Sequence, residues 1–290
     1  MNYRKGHALL ISVDELASRM GDGRLRIIDC RFDLLDPDAG YENYLAGHIP
    51  GAAYANLDTD LAAPVKATTG RHPLPDASVL ASTFRRLGVN RDTAVVVYDS
   101  AGGATAARAW WLLRWLGHDN VRLLDGGLPA WQAAQQPLQE GEVEVNPGDF
   151  DAAPQIGCVL TSEEVEAELE SGELLLVDAR DAARFRGEVE PIDAVAGHIP
   201  GTRNLPFTAA LNADGTFRPE AALEALWQRI LGDSKDVAWS AMCGSGVTAC
   251  HLAISALLAG YREPRLYVGS WSEWIRDSGR PVEAGADPDT

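Results

Sequence analysis

The chain has 290 residues, room for one large or two ordinary domains, and its 46% hydrophobic and 23% charged fractions are those of a soluble globular protein rather than a disordered or fibrous one. A formal net charge of −17 excludes nucleic acid or an anionic membrane as a general partner, because a polyanion would be repelled over most of the surface. Four cysteines (Cys30, Cys158, Cys243, Cys250) make no disulfide framework and no zinc-site spacing, and no apolar run has the length of a signal or a bilayer span, so a metal-free protein of the reducing cytoplasm is expected.

In chain order, apolar spacing predicts a helix over 13–20, strands over 25–29 and 53–57, a helix over 78–87 ended by Gly88, and a strand over 94–98. A long helix over 105–116, stopped by Gly117, a strand over 121–124 and a helix near 129–134 follow. Residues 135–157 are polar, contain three prolines and have no helical period, as a linker would. The pattern then starts again. Helices are expected over 162–170, 220–230, 247–258 and 272–277, and strands over 174–178, 203–207, 237–241 and 265–268. Thr161 and Ser162 before Glu163 to Glu166 give an N-cap with an acidic first turn.

The restart is a sequence repeat. Ala46-Gly47-His48-Ile49-Pro50-Gly51 recurs as Ala196-Gly197-His198-Ile199-Pro200-Gly201, Asp29-Cys30-Arg31 as Asp178-Ala179-Arg180, and the 125–131 segment as 268–274. Residues 1–134 and 158–290 are therefore read as two copies of one α/β domain, each a mainly parallel sheet flanked by helices on both faces. Ligands of such sheets sit beyond the carboxyl ends of the strands.

Cys243 occupies such a place, at a strand end, followed by Gly244-Ser245-Gly246 and a helix start. Two glycines there let successive backbone N–H groups turn toward the sulfur, and the helix N-terminus adds partial positive charge. That environment favours the nucleophilic thiolate. It would also hold an anionic substrate or a sulfur chain on the cysteine. In the first copy Ser100 stands opposite Cys243, so residues 1–134 are expected to be catalytically silent and to form one wall of a cleft.

These motifs together, Gly-His-Ile-Pro-Gly in each half, Asp178-Ala179-Arg180 and Cys243-Gly244-Ser245-Gly246-Val247-Thr248, resemble the two-domain rhodanese family of sulfurtransferases over nearly the whole chain. The resemblance implies transfer of sulfane sulfur through a Cys243 persulfide, with no cofactor, to a thiol or cyanide. It is closest to the 3-mercaptopyruvate branch, since the thiosulfate branch carries charged residues directly after the cysteine. Gly244, Gly246, Val247 and Thr248 would line the substrate loop, and Arg184 would clamp a carboxylate with its fork. Ser245 would act with His72 and Asp60 of the first domain as a general acid–base relay. Ile192, in Glu190-Pro191-Ile192-Asp193, stands where that branch has a second arginine, so one cation of the clamp is missing.

Alternatives are a thiosulfate sulfurtransferase using the same persulfide, a protein sulfur-relay module, and a cysteine phosphatase; the last needs an arginine where this chain has Ala249. Expected partners are the small donor and a thiol acceptor of thioredoxin type, with the protein a monomer. His48 and His198, present in both copies, are read as loop-fixing, Arg180 as an anchor through Asp178, and Cys250 as a core residue. Trp110, Trp111 and Trp115 are read as core or interdomain filling, and Trp271 and Trp274 as core beside the cleft.

Overall fold

A computed structural model describes residues 8–173 and 175–286. The first domain's strands are β1 (Leu10–Ile11), β2 (Leu25–Asp29), β3 (Ala53–Tyr54), β4 (Ala94–Tyr98) and β5 (Val121–Leu124), with helices α1 (Val13–Ser18), α2 (Ala39–Ala46), α3 (Ala77–Arg86), α4 (Ala106–Trp115) and α5 (Gly127–Ala133). The second repeats the plan with β6 (Val159–Leu160), β7 (Leu176–Asp178), β8 (Arg203–Asn204), β9 (Ser240–Met242) and β10 (Arg265–Tyr267), and α6 (Ser162–Ser171), α7 (Ala182–Phe185), α8 (Glu220–Leu231), α9 (Thr248–Leu258) and α10 (Ser270–Trp274). The sheets run β1-β5-β4-β2-β3 and β6-β10-β9-β7-β8, with all pairs parallel. The two orders are the same topology.

Both faces of each sheet are covered. One buried cluster runs through both domains, from Phe84, Trp110 and Leu112 to Trp227, Leu252 and Ile254, while Ile27, Val96 and Trp131 on one side and Met242, Tyr267 and Trp274 on the other form separate outer clusters. The domains meet where α4 packs on α9. Both helices are apolar nearly all round, which only a buried position on every side allows. Trp110, Trp111, Trp271 and Trp274 are fully buried, and the last two are core rather than cleft edge.

Differences from the sequence expectation lie mostly at strand ends. The strand expected over 53–57 ends at Tyr54, because the Asn56 side chain accepts from the Asp58 and Thr59 amides at 2.8 and 3.2 Å and turns the chain. Beyond β8, Pro206 leads into a 3-10 turn, Phe207–Ala210. Leu174 lies outside the described residues. The two-residue strands β1 and β6 and the short helices α2 and α7 carry too little periodicity to be read in advance. Residues 135–157 run along the first domain, with Gln139 bridged to His48 and Phe150 packed edge-on to Phe84.

Equivalent residues hold equivalent loops. Asp29 takes a fork from Arg31, which also donates to Gly47 O, and Asp178 takes the same fork from Arg180, which donates to Gly197 O. His48 is stacked on Tyr44 and His198 on Phe185, each with Nδ1 2.8 Å from that residue's carbonyl. Among the described residues no helix is long and apolar enough to cross a membrane, and no cluster of His, Cys, Asp and Glu could hold a metal ion.

Candidate active site

Cys243 follows directly on β9 and opens the loop into α9. Its N–H donates to Ser270 Oγ at 3.1 Å and its carbonyl accepts from Trp271 N–H at 3.1 Å, so the backbone is pinned on both sides. Ser270, at φ +54, is held in the left-handed region while making this bond. Gly246 has φ +75, and a Cβ there would meet Val268 O at 2.3 Å, so only glycine fits. Among the described residues, no acceptor takes the backbone N–H of any residue from Gly244 to Ala249.

The first domain shows what such a ring of amides holds. Strand pairing puts Tyr98 opposite Asp29 and Met242 opposite Asp178, so the residue equivalent to Cys243 is Asp99. Ser100, expected in that place, is one position further on, because the first loop, 99–105, is longer than the second, 243–247. Matching bonds fix the register: Leu128 N–H donates to Asp99 O as Trp271 N–H does to Cys243 O. The Asp99 carboxylate accepts from the amides of Ala101 and Gly103 on one oxygen and of Thr105 and Ala106 on the other, at 2.8 to 2.9 Å, with Thr105 Oγ1 as a further donor. An anionic side chain thus fills the first cradle. In the second, the side chain at that position is a thiol.

Ser245 lies two residues beyond the cysteine, with His72 Nδ1 2.7 Å from its Oγ. The other ring nitrogen of His72 is 3.1 Å from Asp58 Oδ1. Asp60, the expected carboxylate, is elsewhere: it accepts from Asn56 N–H at 3.0 Å and pairs with Arg86. The turn made by Asn56 aims Asp58 toward His72 and Asp60 back to the first domain. Burial, with the cations Arg108 and Arg71 nearby, pulls the His72 pKa down to about 3. Its ring is therefore neutral at physiological pH, and the contact with Asp58 is a hydrogen bond from Nε2–H to carboxylate, leaving Nδ1 to accept from Ser245.

These groups face a cavity of about 350 Å³ between the domains, lined by Phe32, Leu34 and Ala104 on one wall and by Cys243, Val247 and Phe207 on the other. Three arginines line it: Arg180, held on Asp178, and Arg184 and Arg71. Arg184, at the end of α7, grips Glu190 through Nε at 3.2 Å to both oxygens and Nη2 at 2.7 Å, and reaches Asp193 Oδ2 at 3.1 Å. Arg71, unremarked in the sequence, pairs with the other Asp193 oxygen. Burial raises the Asp193 carboxyl against the pull of Arg71, whereas Glu190, which burial would also raise, is drawn down by the bonds from Arg184 and two amides. Ile192 lines the cavity without a charge.

The loop rests on a buried arginine. Arg108 of α4 is fully buried and donates to Gly246 O, His72 O and Leu61 O at 3.2 to 3.4 Å, tying the cysteine loop to the histidine loop. From α9, His251 reaches Gly102 O at 3.1 Å in return. Cys250 is behind the loop, donating to Gly246 O at 3.4 Å, and burial pushes its thiol up to about 12, so it is a protonated core residue. Arg71, Asp58, Asp99 and Arg108 are the participants that motif reading passed over. The one signal for them was position next to a motif, Arg71 beside His72 and Asp99 beside Ser100.

A family model described as Rhodanese-like domain matches residues 12–134 and 161–277. Over 280 residues the chain is 50% identical to a Pseudomonas aeruginosa protein named "Probable 3-mercaptopyruvate sulfurtransferase", covering 96% of this chain and 99% of the relative. It is 42% identical over 283 residues to Mycobacterium tuberculosis SseB, named for thiosulfate sulfurtransferase activity, with 96% and 97% covered. Among solved structures, SseA from Escherichia coli, described with the 3-mercaptopyruvate sulfotransferases, superposes with a TM-score of 0.80 at 34% identity, covering 92% of this chain and 100% of that one.

Proposed function

This chain belongs to the rhodanese-like domain family, in tandem, and from that premise we propose that Cys243 carries sulfur taken from 3-mercaptopyruvate. The protein is a sulfurtransferase. The observation that carries the role of Cys243 is the pair of cradles: the amides that a carboxylate fills in the first domain are left, in the second, for sulfur. The first domain is then silent because its nucleophile position holds an oxygen anion already spent on four amides.

In this reading the Cys243 thiolate attacks the donor's sulfur. The carbon–sulfur bond breaks and its electron pair moves into the enolate of pyruvate. The donor's thiol proton passes through Ser245 and His72 to the methylene carbon, so that pyruvate leaves and the persulfide anion stays in the cradle. Neutral His72 can take a proton on Nδ1 while Asp58 steadies the cation formed. An acceptor thiolate, or cyanide, then attacks the outer sulfur and restores the Cys243 thiolate. A dithiol protein of thioredoxin type suits this second step, and one chain suffices because both walls of the cavity are its own. All four cysteines are free thiols, in keeping with a reducing cytoplasm.

The loop after Cys243 carries no cation, which favours a monocarboxylate donor over the thiosulfate dianion. Turnover with each donor, using cyanide and a reduced dithiol as acceptors, tests the assignment. The expected order is 3-mercaptopyruvate above thiosulfate in kcat/KM, with neither turned over by Cys243→Ser. Retained turnover in that variant would reject the role of Cys243, and a preference for thiosulfate would reject the donor.

A further inference from the structure

Position 192 lacks the cation that a two-arginine clamp requires, yet besides Arg184 and Arg180, which is committed to Asp178, the cavity is lined by a further arginine. That arginine is Arg71, and it comes from the other domain. A Cβ placed on Gly244, the residue after the nucleophile, would be 2.9 Å from Arg71 Nη2 and 3.8 and 3.9 Å from Arg184 Nη1 and Nη2. Both forks therefore stand over one point of the cysteine loop.

A carboxylate already lies between them. Asp193 accepts from Arg71 on one oxygen and from Arg184 on the other, with its side chain only 5% exposed. Arg71 is held for this task by its backbone, not by chance of a flexible stem. Its N–H donates to Ser272 Oγ at 3.0 Å, and the neighbouring Gly70 is so close to the second domain that a Cβ would meet Gly269 O at 2.5 Å. Arg71 Nε is buried and has no partner among the described residues. The rest of the side chain is partly exposed and lines the cavity.

We propose that Arg71 supplies from the first domain the cation absent at position 192, so that the donor's carboxylate is gripped by Arg71 and Arg184 together in place of Asp193. The assignment rests on the reading of this cavity as the sulfur-donor pocket. It makes donor recognition a property of both domains: the silent one contributes a charge as well as the His72 relay. It also explains how the chain keeps a carboxylate clamp with isoleucine at 192, by moving the second fork across the cleft rather than along the loop.

Arg71→Met removes the fork and keeps the stem, with circular dichroism and the thermal midpoint as checks of folding. Loss of one charge-assisted fork predicts a rise in KM for 3-mercaptopyruvate of roughly 10–100-fold with kcat within about threefold. Competitive inhibition by pyruvate, which keeps the carboxylate and has no sulfur, should weaken by a similar factor. Discharge of a preloaded Cys243 persulfide by cyanide should keep its rate, since that step needs no carboxylate clamp. Adding Ile192→Arg to Arg71→Met should bring KM back to within about fivefold of the parent. If Arg71→Met does not fold, Arg71→Lys, with charge but no fork, should still raise KM at least about threefold. A KM change below about threefold, or a double variant that recovers nothing, overturns the proposal. Persulfide still forming on Cys243 in that case would leave the sulfurtransfer reading intact, whereas its absence in the parent protein would remove that reading itself.

Discussion

Asp58 and Asp60 are two residues apart, and only one of them reaches His72. Asp58 is beside His72 and Asp60 is bound to Arg86 and the Asn56 amide, so their substitutions should part cleanly. Asp58→Asn is expected to lower kcat with 3-mercaptopyruvate about 10-fold or more by loosening the tautomer that Ser245 depends on, while Asp60→Asn leaves kcat within about twofold. The reverse ranking in steady-state kinetics would restore Asp60 to the relay. Ser245→Ala should cost about as much as Asp58→Asn, and the double variant little more, because the two act as one unit. That Cys243, Ser245, His72 and Arg184 come together at one cavity was legible because each sits in a short motif. Which aspartate reaches His72 was not, since that depends on the direction in which Asn56 turns the chain.

The loop between a strand and its helix is the element on which the two domains differ. Both loops end a central strand and open a helix that packs at the interface, but the first, 99–105, contains two more residues than the second, 243–247, and the second a sulfur at the cradle's centre. Motif alignment set Ser100 against Cys243, because it matched the glycines and threonine after the loop and had no means of seeing strand register. Pairing along β2 and β7 moves the equivalence to Asp99. If that carboxylate is the first loop's anion, Asp99→Asn should be costly: an amide nitrogen would face backbone donors where an oxygen now accepts. A loss of about 3 kcal/mol or more in urea unfolding is expected, with the chevron or midpoint shift read at constant m. A change under about 1 kcal/mol would mean that the amides find water as readily as carboxylate. By contrast β2, β4 and β5 matched their expected bounds, because short, mainly apolar runs of five and four residues bounded by turn residues leave few other readings.

Buried polar groups cross the domain boundary beside the apolar contact of α4 with α9. Arg108 reaches from the first domain under the cysteine loop, His251 reaches back to Gly102, and His72 lies between with its ring against Ser245. Burial lowers the pKa of His72 to about 3 and of His251 to about 4. Each stays neutral in the fold and takes up a proton on unfolding below the ordinary histidine pKa of about 6.5. The unfolded chain therefore binds more protons between about pH 6.5 and 4, and stability falls as pH falls through that window, by up to about 1.4 kcal/mol per pH unit for each ring. Above about pH 6.5 this contribution is complete. His251→Gln should unfold with a visibly shallower pH dependence of Tm than the parent between pH 6.5 and 4, and parallel curves would show that the ring is not buried neutral. The tandem α/β plan was readable from the repeat alone. How the two copies face each other was not, because α4 and α9 are apolar nearly all round, so no apolar stripe marks the side that meets the partner.

The account depends on sulfur being taken up at one position, and peptide mass analysis reads that directly. After exposure to 3-mercaptopyruvate without acceptor, one added sulfur atom is expected on the peptide containing Cys243 and none on Cys30, Cys158 or Cys250, with one pyruvate released per chain. An unmodified Cys243, or sulfur carried on another cysteine, would contradict it.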